Sequence, residues 1–138
     1  MNNDQDNCMF CGVAHGGAIT PIRYEDDDII AVDNLHPEAP VHVVVITKKH
    51  IPSLASLEDS DKALAGKVLL VCKKIAADMH IAENGYRAVT NIGKWGGQLI
   101  PHLHFHVLGG APLPEQVGLA VEAEEIISVQ PVKNIQQK

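Results

Sequence analysis

Three histidines spaced by single residues are the stretch of this chain best suited to chemistry. His102, His104 and His106 alternate with Leu103, Phe105 and Val107, between glycine pairs at 96–97 and 109–110. Strict alternation reads as a β-strand whose successive side chains point to opposite faces. The three imidazoles would then share one face, each about 6.6 Å from the next, with the apolar residues entering a core. A neutral imidazole can attack an electrophile through one nitrogen. Its other nitrogen must hold a proton and find an acceptor, which fixes the tautomer. No Ser, Cys or paired carboxylates lie on this face, so Ser/His/Asp hydrolysis and two-carboxylate glycosidase chemistry are not indicated. What remains is histidine as nucleophile or histidine as metal ligand. Phosphorus suits the first, because a phosphorylated imidazole is a good leaving group and divides one displacement into two. Gly93, Gly96, Gly97, Gly109 and Gly110 would let backbone amides approach phosphate oxygens.

The elements that must position these rings follow from pattern. Residues 41–47 form the most β-branched run and predict a central strand. It carries His42, a fourth imidazole if that strand pairs beside the histidine strand. Residues 22–25 and 29–32 predict a hairpin, with Asp26, Asp27 and Asp28 as its solvated turn. Ser56, Glu58 and Ser60 offer N-caps, and Leu64, Val68, Val71, Cys72, Ile75 and Met79 then draw one apolar stripe on a long helix. Residues 86–92 predict another strand, followed by a glycine-rich loop and the histidine strand. Residues 1–7 read as frayed. Pro112 and Pro114 stop regular pairing, and 115–128 could form a short helix. The order predicts an α+β fold: a mainly antiparallel five-stranded sheet with one long helix.

Composition bounds the rest. The chain has 138 residues, enough for one domain spanning 1–138, with 46% hydrophobic residues and 20% charged. Its formal net charge of −6, without a Lys/Arg cluster, argues against nucleic-acid binding. No run of about 18 apolar residues predicts a membrane span, and the polar N-terminus lacks a leader pattern. Three cysteines make no disulfide framework. The expected location is cytoplasmic, where Cys8 and Cys11 point to metal sooner than to a bridge. Two thiolates at Cys-x-x-Cys spacing commonly supply half of a tetrahedral zinc site.

The motif His102-Leu-His104-Phe-His106-Val-Leu resembles the signature of the histidine triad (HIT) family. Thr90-Asn91-Ile92-Gly93, Gly96-Gly97-Gln98, Ala39-Pro40-Val41-His42 and Lys48-Lys49-His50-Ile51 are similar to the same family. The likeness covers about residues 8–110 and looks closest to the Hint branch of nucleoside phosphoramidases. Residues 111–138 diverge from that branch. The resemblance implies a homodimer with a continuous sheet, and hydrolysis at the α-phosphate of a purine nucleotide through a covalent nucleotidyl-histidine. Alternatives are dinucleotide polyphosphate hydrolysis, or a nucleotide-binding regulatory module with weak catalysis.

Carried onto this chain, the resemblance implies His104 as nucleophile, His106 at the phosphate and leaving group, and His42 and His102 ordering the network. Asn34 and Leu35 would hold ribose and base, with Asp33 a substitute for the acid usual at position 34. Asn91, Gly97, Gln98 and Leu99 would lie at the phosphate. Leu99 stands where the family commonly has Ser or Thr, which removes one hydrogen bond worth roughly 1.5–3 kcal/mol. Some family members pair a Cys-x-x-Cys with two histidines around zinc, which implies Cys8, Cys11, His50 and His102 here.

Overall fold

A computed structural model describes residues 8–115. The helix expected within 115–128 and the frayed 1–7 fall outside the described residues, apart from Glu115. A short helix α1 (Met9–Gly12) leads into a wide helical turn, Val13–Gly17, broken at His15 and Gly16. Strands β1 (Ile22–Glu25), β2 (Ile29–Asp33) and β3 (Val41–Thr47) follow. Two tight turns precede the long helix α2 (Lys62–Asp78), and β4 (Arg87–Val89) and β5 (His104–Gly109) follow it. All pairings are antiparallel, in the order β1-β2-β3-β5-β4.

The alternation of strand side chains places the site. Val43 and Val45 of β3 and Val107 of β5 face α2 and meet its stripe of Val68, Val71, Cys72, Ile75 and Ala76. Val44 and Ile46 face the other way and are covered by Cys8, Phe10 and Ala14 of the N-terminal segment. Covering on both faces explains why β3 is apolar almost throughout. It also explains the histidines. On β5, Phe105 and Val107 belong to the helix side, so His104 and His106 point to the face that the N-terminal segment only partly covers.

The hairpin turn is built by Asp26, whose carboxylate accepts from the amides of Asp28 (2.8 Å) and Ile29 (2.9 Å). Lys67 reaches from α2 to Asp26 and Asp28, so the acidic run is a solvated and paired turn. Of the expected caps, Glu58 is the one used, at the turn that leads into α2. Glu58 and Asp61 each accept the other's backbone amide across the turn that precedes the helix. Ser53 caps the earlier turn through Ala55 N at 3.1 Å.

Two strands are shorter than their patterns. β4 spans Arg87–Val89 rather than 86–92; beyond it Thr90 donates its hydroxyl to the His104 carbonyl at 2.7 Å. β5 begins at His104. Pro101 has no amide to pair, the His102 amide turns back to Ile100 O, and the Leu103 amide goes to Ile51 O. His102 therefore stands outside the strand, and the even row of three imidazoles does not form. Among the described residues no helix is long and apolar enough to cross a membrane.

Candidate active site

On β5, His104 lies opposite Ile46 and His106 opposite Val44. His42 pairs with Leu108, which makes it the diagonal neighbour of His106. The His42 Nε2 and His106 Nδ1 atoms are 2.9 Å apart, and the His104 and His106 rings meet edge-on with centroids 5.0 Å apart.

Backbone groups decide where each proton sits. The Glu38 amide donates to His42 Nδ1 at 3.1 Å, so that nitrogen is unprotonated and the proton sits on Nε2. His42 Nε2–H then donates to His106 Nδ1, which leaves the His106 proton on Nε2. His104 donates Nδ1–H to the His102 carbonyl at 2.6 Å, which leaves a lone pair on its Nε2. The site thus presents a nucleophilic nitrogen beside an N–H donor. Burial lowers the proton affinity of all three rings. It pushes His106 down to about 4, with the charges of His104 and His42 adding to the effect. His104 is lowered by burial, partly offset by its bond to the His102 carbonyl, and His42 by burial against the charge of Glu38. These rings are neutral near pH 7.

They open onto a cleft of about 700 Å³. Asn34, Leu35, Asn91, Gly97, Gln98 and Leu99 all line it beside His42, His104 and His106; His102 does not. Several polar groups expected to serve a ligand are already engaged. Gln98 accepts from Gly93 N (2.8 Å) and donates to the carbonyls of Pro52 and Ile100, which makes it a brace for its loop. The amides of Gly96, Gly97 and Gln98 bond to Gly93 and Lys94 carbonyls. The loop amides are therefore occupied by the turn itself, and positive φ at Gly93 (71°) and Gly97 (83°) is what that turn requires. Gly109 lies at the far end of β5 against Ile81 and Tyr86, and Gly110 against Pro40, so this pair is not at the cleft. Asn34 donates to the His36 carbonyl at 2.9 Å, and Asn91 to Gly96 O at 2.8 Å. Both oxygens of Asp33 are held by Arg23 at 2.8 and 2.7 Å, so Asp33 does not stand in for an acid at position 34. The Leu99 side chain is 93% exposed at the rim.

Behind His104 lies a second cluster. Cys8 Sγ, Cys11 Sγ, His50 and His102 each offer one ligand atom, all within 4.8 Å of one another. His102 Nδ1 is 3.3 Å from Cys8 Sγ, 3.4 Å from Cys11 Sγ and 3.2 Å from His50 Nδ1. Cys11 Sγ is 3.1 Å from His50 Nδ1. A tetrahedral zinc with bonds of about 2.0–2.3 Å holds its ligand atoms roughly 3.3–3.8 Å apart. The donor set therefore fits a tetrahedral cation with a taste for sulfur and imidazole. His102 Nε2–H donates to the Thr47 carbonyl at 2.7 Å, which leaves Nδ1 as the available donor atom, as a metal-binding histidine needs. Burial pushes the Cys11 thiol up to about 11, and Cys8 beside it adds to the effect; a bound cation would reverse that.

Comparison with known proteins decides the family. The HIT domain model matches residues 19–113. The chain belongs to the HIT family. An uncharacterised HIT-like protein of Synechocystis is 46% identical over 107 residues, covering 78% of this chain and 93% of that protein. A HIT family hydrolase from Legionella pneumophila superposes with a TM-score of 0.78 at 38% identity, covering 81% of this chain and all of that one. A hypothetical histidine triad nucleotide-binding protein from Sulfolobus tokodaii gives 0.64 at 30% identity, covering 83% and 77%.

In this HIT chain the matched region starts at Ile19, so residues 8–18 lie before it. Those residues still supply both cysteines and one apolar wall of the cleft, through Met9, Phe10 and Val13. Sequence reasoning missed that wall. Its one sequence signal was Phe10, the aromatic residue between the cysteines.

Proposed function

We propose that this HIT protein is a nucleoside phosphoramidase acting on purine nucleotides, of the Hint type. The observation that carries this reading is the backbone-enforced pairing of a His104 Nε2 lone pair with a His106 Nε2–H donor. His104 Nε2 attacks the α-phosphorus as the phosphorus–nitrogen bond breaks. The nitrogen departs as a neutral amine after taking up a proton from solvent, and His106 Nε2–H hydrogen-bonds the leaving-group side. The imidazolium formed on His104 is stabilised by its Nδ1–H bond to the His102 carbonyl, now charge-assisted. Water then attacks the nucleotidyl-histidine, releasing nucleoside monophosphate and a proton and returning His104 to neutrality. Asn34 and Leu35 take the ribose and base, and Asn91, Gly97, Gln98 and Leu99 surround the phosphate, Gln98 by bracing its loop.

Charge favours this substrate over a dinucleotide polyphosphate. Among the described residues no Lys or Arg lines the cleft; Glu38 does, as does Asp33, whose carboxylate is paired with Arg23. A polyphosphate leaving group carries negative charge that such a cleft does not compensate; a neutral amine needs no compensation. A second reading, a nucleotide-binding regulatory module with weak catalysis, draws on the exposed Leu99 and the engaged loop amides.

Cys8, Cys11, His50 and His102 are assigned to a structural zinc, which supplies no chemistry beyond holding the N-terminal segment to the sheet. A homodimer joined into one continuous sheet fits the short edge strand β4. The proposal takes 1–138 as one domain with its core at 8–110, acting in the cytoplasm. The test is mass spectrometry of protein quenched during turnover of adenosine monophosphoramidate, with diadenosine polyphosphates in parallel. An adenylyl adduct on His104, and faster turnover of the phosphoramidate, is expected. Full activity in His104→Ala would overturn the reading.

A further inference from the structure

The two residues between Cys8 and Cys11 point in different directions. Met9 is 58% exposed at the cleft, whereas Phe10 is 8% exposed and turned inward. Its ring meets His104 edge-on, with centroids 4.8 Å apart and planes at 75°, and lies 6.3 Å from the His102 ring. The His104 ring thus has two edge-on ring neighbours, Phe10 and His106. An imidazole rotates about its last torsion in a broad, two-fold well. A half-turn there would exchange ring edges, break the Nδ1–H bond to the His102 carbonyl and remove the Nε2 lone pair from the cleft. The His102 carbonyl sets the preferred orientation, and a ring packed against the imidazole hinders the rotation that would leave it.

Phe10 is buried in an apolar cluster, but the segment that carries it is short. Helix α1 has four residues and no side-chain cap, too short to persist unaided. What anchors it, besides apolar contacts with Ile30, Val32, Val44 and Ile46, is the convergence of Cys8 and Cys11 on His50 and His102. We propose that Phe10 is a positioning residue that couples occupancy of the Cys8–Cys11–His50–His102 cluster to the orientation of the His104 imidazole. A cation in the cluster fixes the segment from residue 8 to 11, and the segment presses Phe10 against His104. Loss of the cation loosens the segment and frees the ring. This inference rests on the reading of His104 as the nucleophile, but its structural half stands apart from catalysis.

The test follows the His104 Nδ1–H proton by NMR in protein labelled with ¹⁵N at histidine, without substrate. In zinc-loaded wild type this proton should exchange slowly with water. In wild type stripped of zinc by a chelator, and in Phe10→Ala that still binds one zinc per chain, exchange should quicken at least tenfold. The same Phe10→Ala protein should lose at least tenfold in kcat on adenosine monophosphoramidate with a smaller change in KM, and Phe10→Tyr should restore much of it. If Phe10→Ala does not fold, Phe10→Leu carries the same measurements. Slow exchange persisting in the zinc-loaded Phe10 variant, or in the zinc-stripped wild type, overturns the proposal. Wild type that turns over no phosphoramidate would instead defeat the functional reading, and the exchange measurement would still decide the role of Phe10.

Discussion

Replacing His42 tests the proton arrangement most directly. Its ring is 5% exposed and has one partner on each nitrogen: the Glu38 amide at Nδ1 and His106 at Nε2. His42→Leu keeps the apolar volume and removes both. Glu38 is exposed, so water can take over its amide. His106 Nδ1 loses its donor, and only the ring's weak intrinsic preference then keeps the His106 proton on Nε2. One hydrogen bond of about 1–1.5 kcal/mol corresponds to roughly five- to tenfold in tautomer population. Removing a hydrogen-bond donor at the reacting phosphate costs at most about 10²–10³ in kcat. The expected fall in kcat for His42→Leu is therefore roughly ten- to a hundredfold. His42→Gln separates this account from mere packing. Its amide nitrogen stands the same number of bonds from Cα as His Nε2, and it can donate to His106 Nδ1 just as His42 does. It should recover activity to within about threefold of wild type. Steady-state kinetics on adenosine monophosphoramidate provide the assay, with zinc content and melting temperature as controls for folding. A His42→Gln enzyme no better than His42→Leu, or a Leu variant as fast as wild type, would refute the tautomer argument.

Other expectations follow from the same geometry. Metal analysis of purified protein should give near one zinc per chain; Cys8→Ser should lower that sharply and reduce the melting temperature by roughly 10 °C, about 3 kcal/mol. The His106 ring, lowered to about 4 by burial and by His104 and His42, makes folding sensitive to mild acid. The unfolded chain takes up this proton near pH 6.5 and the folded one only near 4. The contribution is constant above 6.5, and stability is lost as pH falls from there towards 4. With a discount for partial solvent exposure the loss is on the order of 1–2 kcal/mol, read as the difference between wild type and His106→Gln in urea unfolding at pH 7 and pH 4.5. Gly109→Ala would place a methyl group 2.8 Å from Ile81 Cδ1 and 3.3 Å from Tyr86 Cβ. It should cost about 1–3 kcal/mol by overpacking, seen in the urea midpoint, with the proton arrangement at His104 and His106 intact.

What was legible in the sequence is what residue type and periodicity carry. The α2 stripe, the buried β3 run and the alternation of His104, Phe105, His106 and Val107 each assign a face, and the faces agree with one another. Cys-x-x-Cys spacing announced a cluster before its histidines were near. What was not legible depends on backbone. The place where β5 begins is decided by Pro101 and by amides that turn to Ile100 and Ile51, so His102 leaves the row its spacing suggests. A glycine-rich loop reads as an anion cradle, yet whether its amides are available depends on how the turn closes, and here Gly93 and Lys94 carbonyls take them.

The same backbone dependence bears on Leu99. The proton positions at His42, His104 and His102 are set by the Glu38 amide, the His102 carbonyl and the Thr47 carbonyl. None of these is a side chain, so none disappears when a residue is exchanged. A hydroxyl at position 99 would add a donor at the rim, where Leu99 is now exposed. It would not create the His104 Nε2 lone pair or the His106 Nε2–H donor, which the hydrogen bonds set without it. On the proposed function, the departure at 99 therefore acts on how well a phosphate or leaving group is held. The exposed lone pair of His104 belongs to the strand and the carbonyl beneath it.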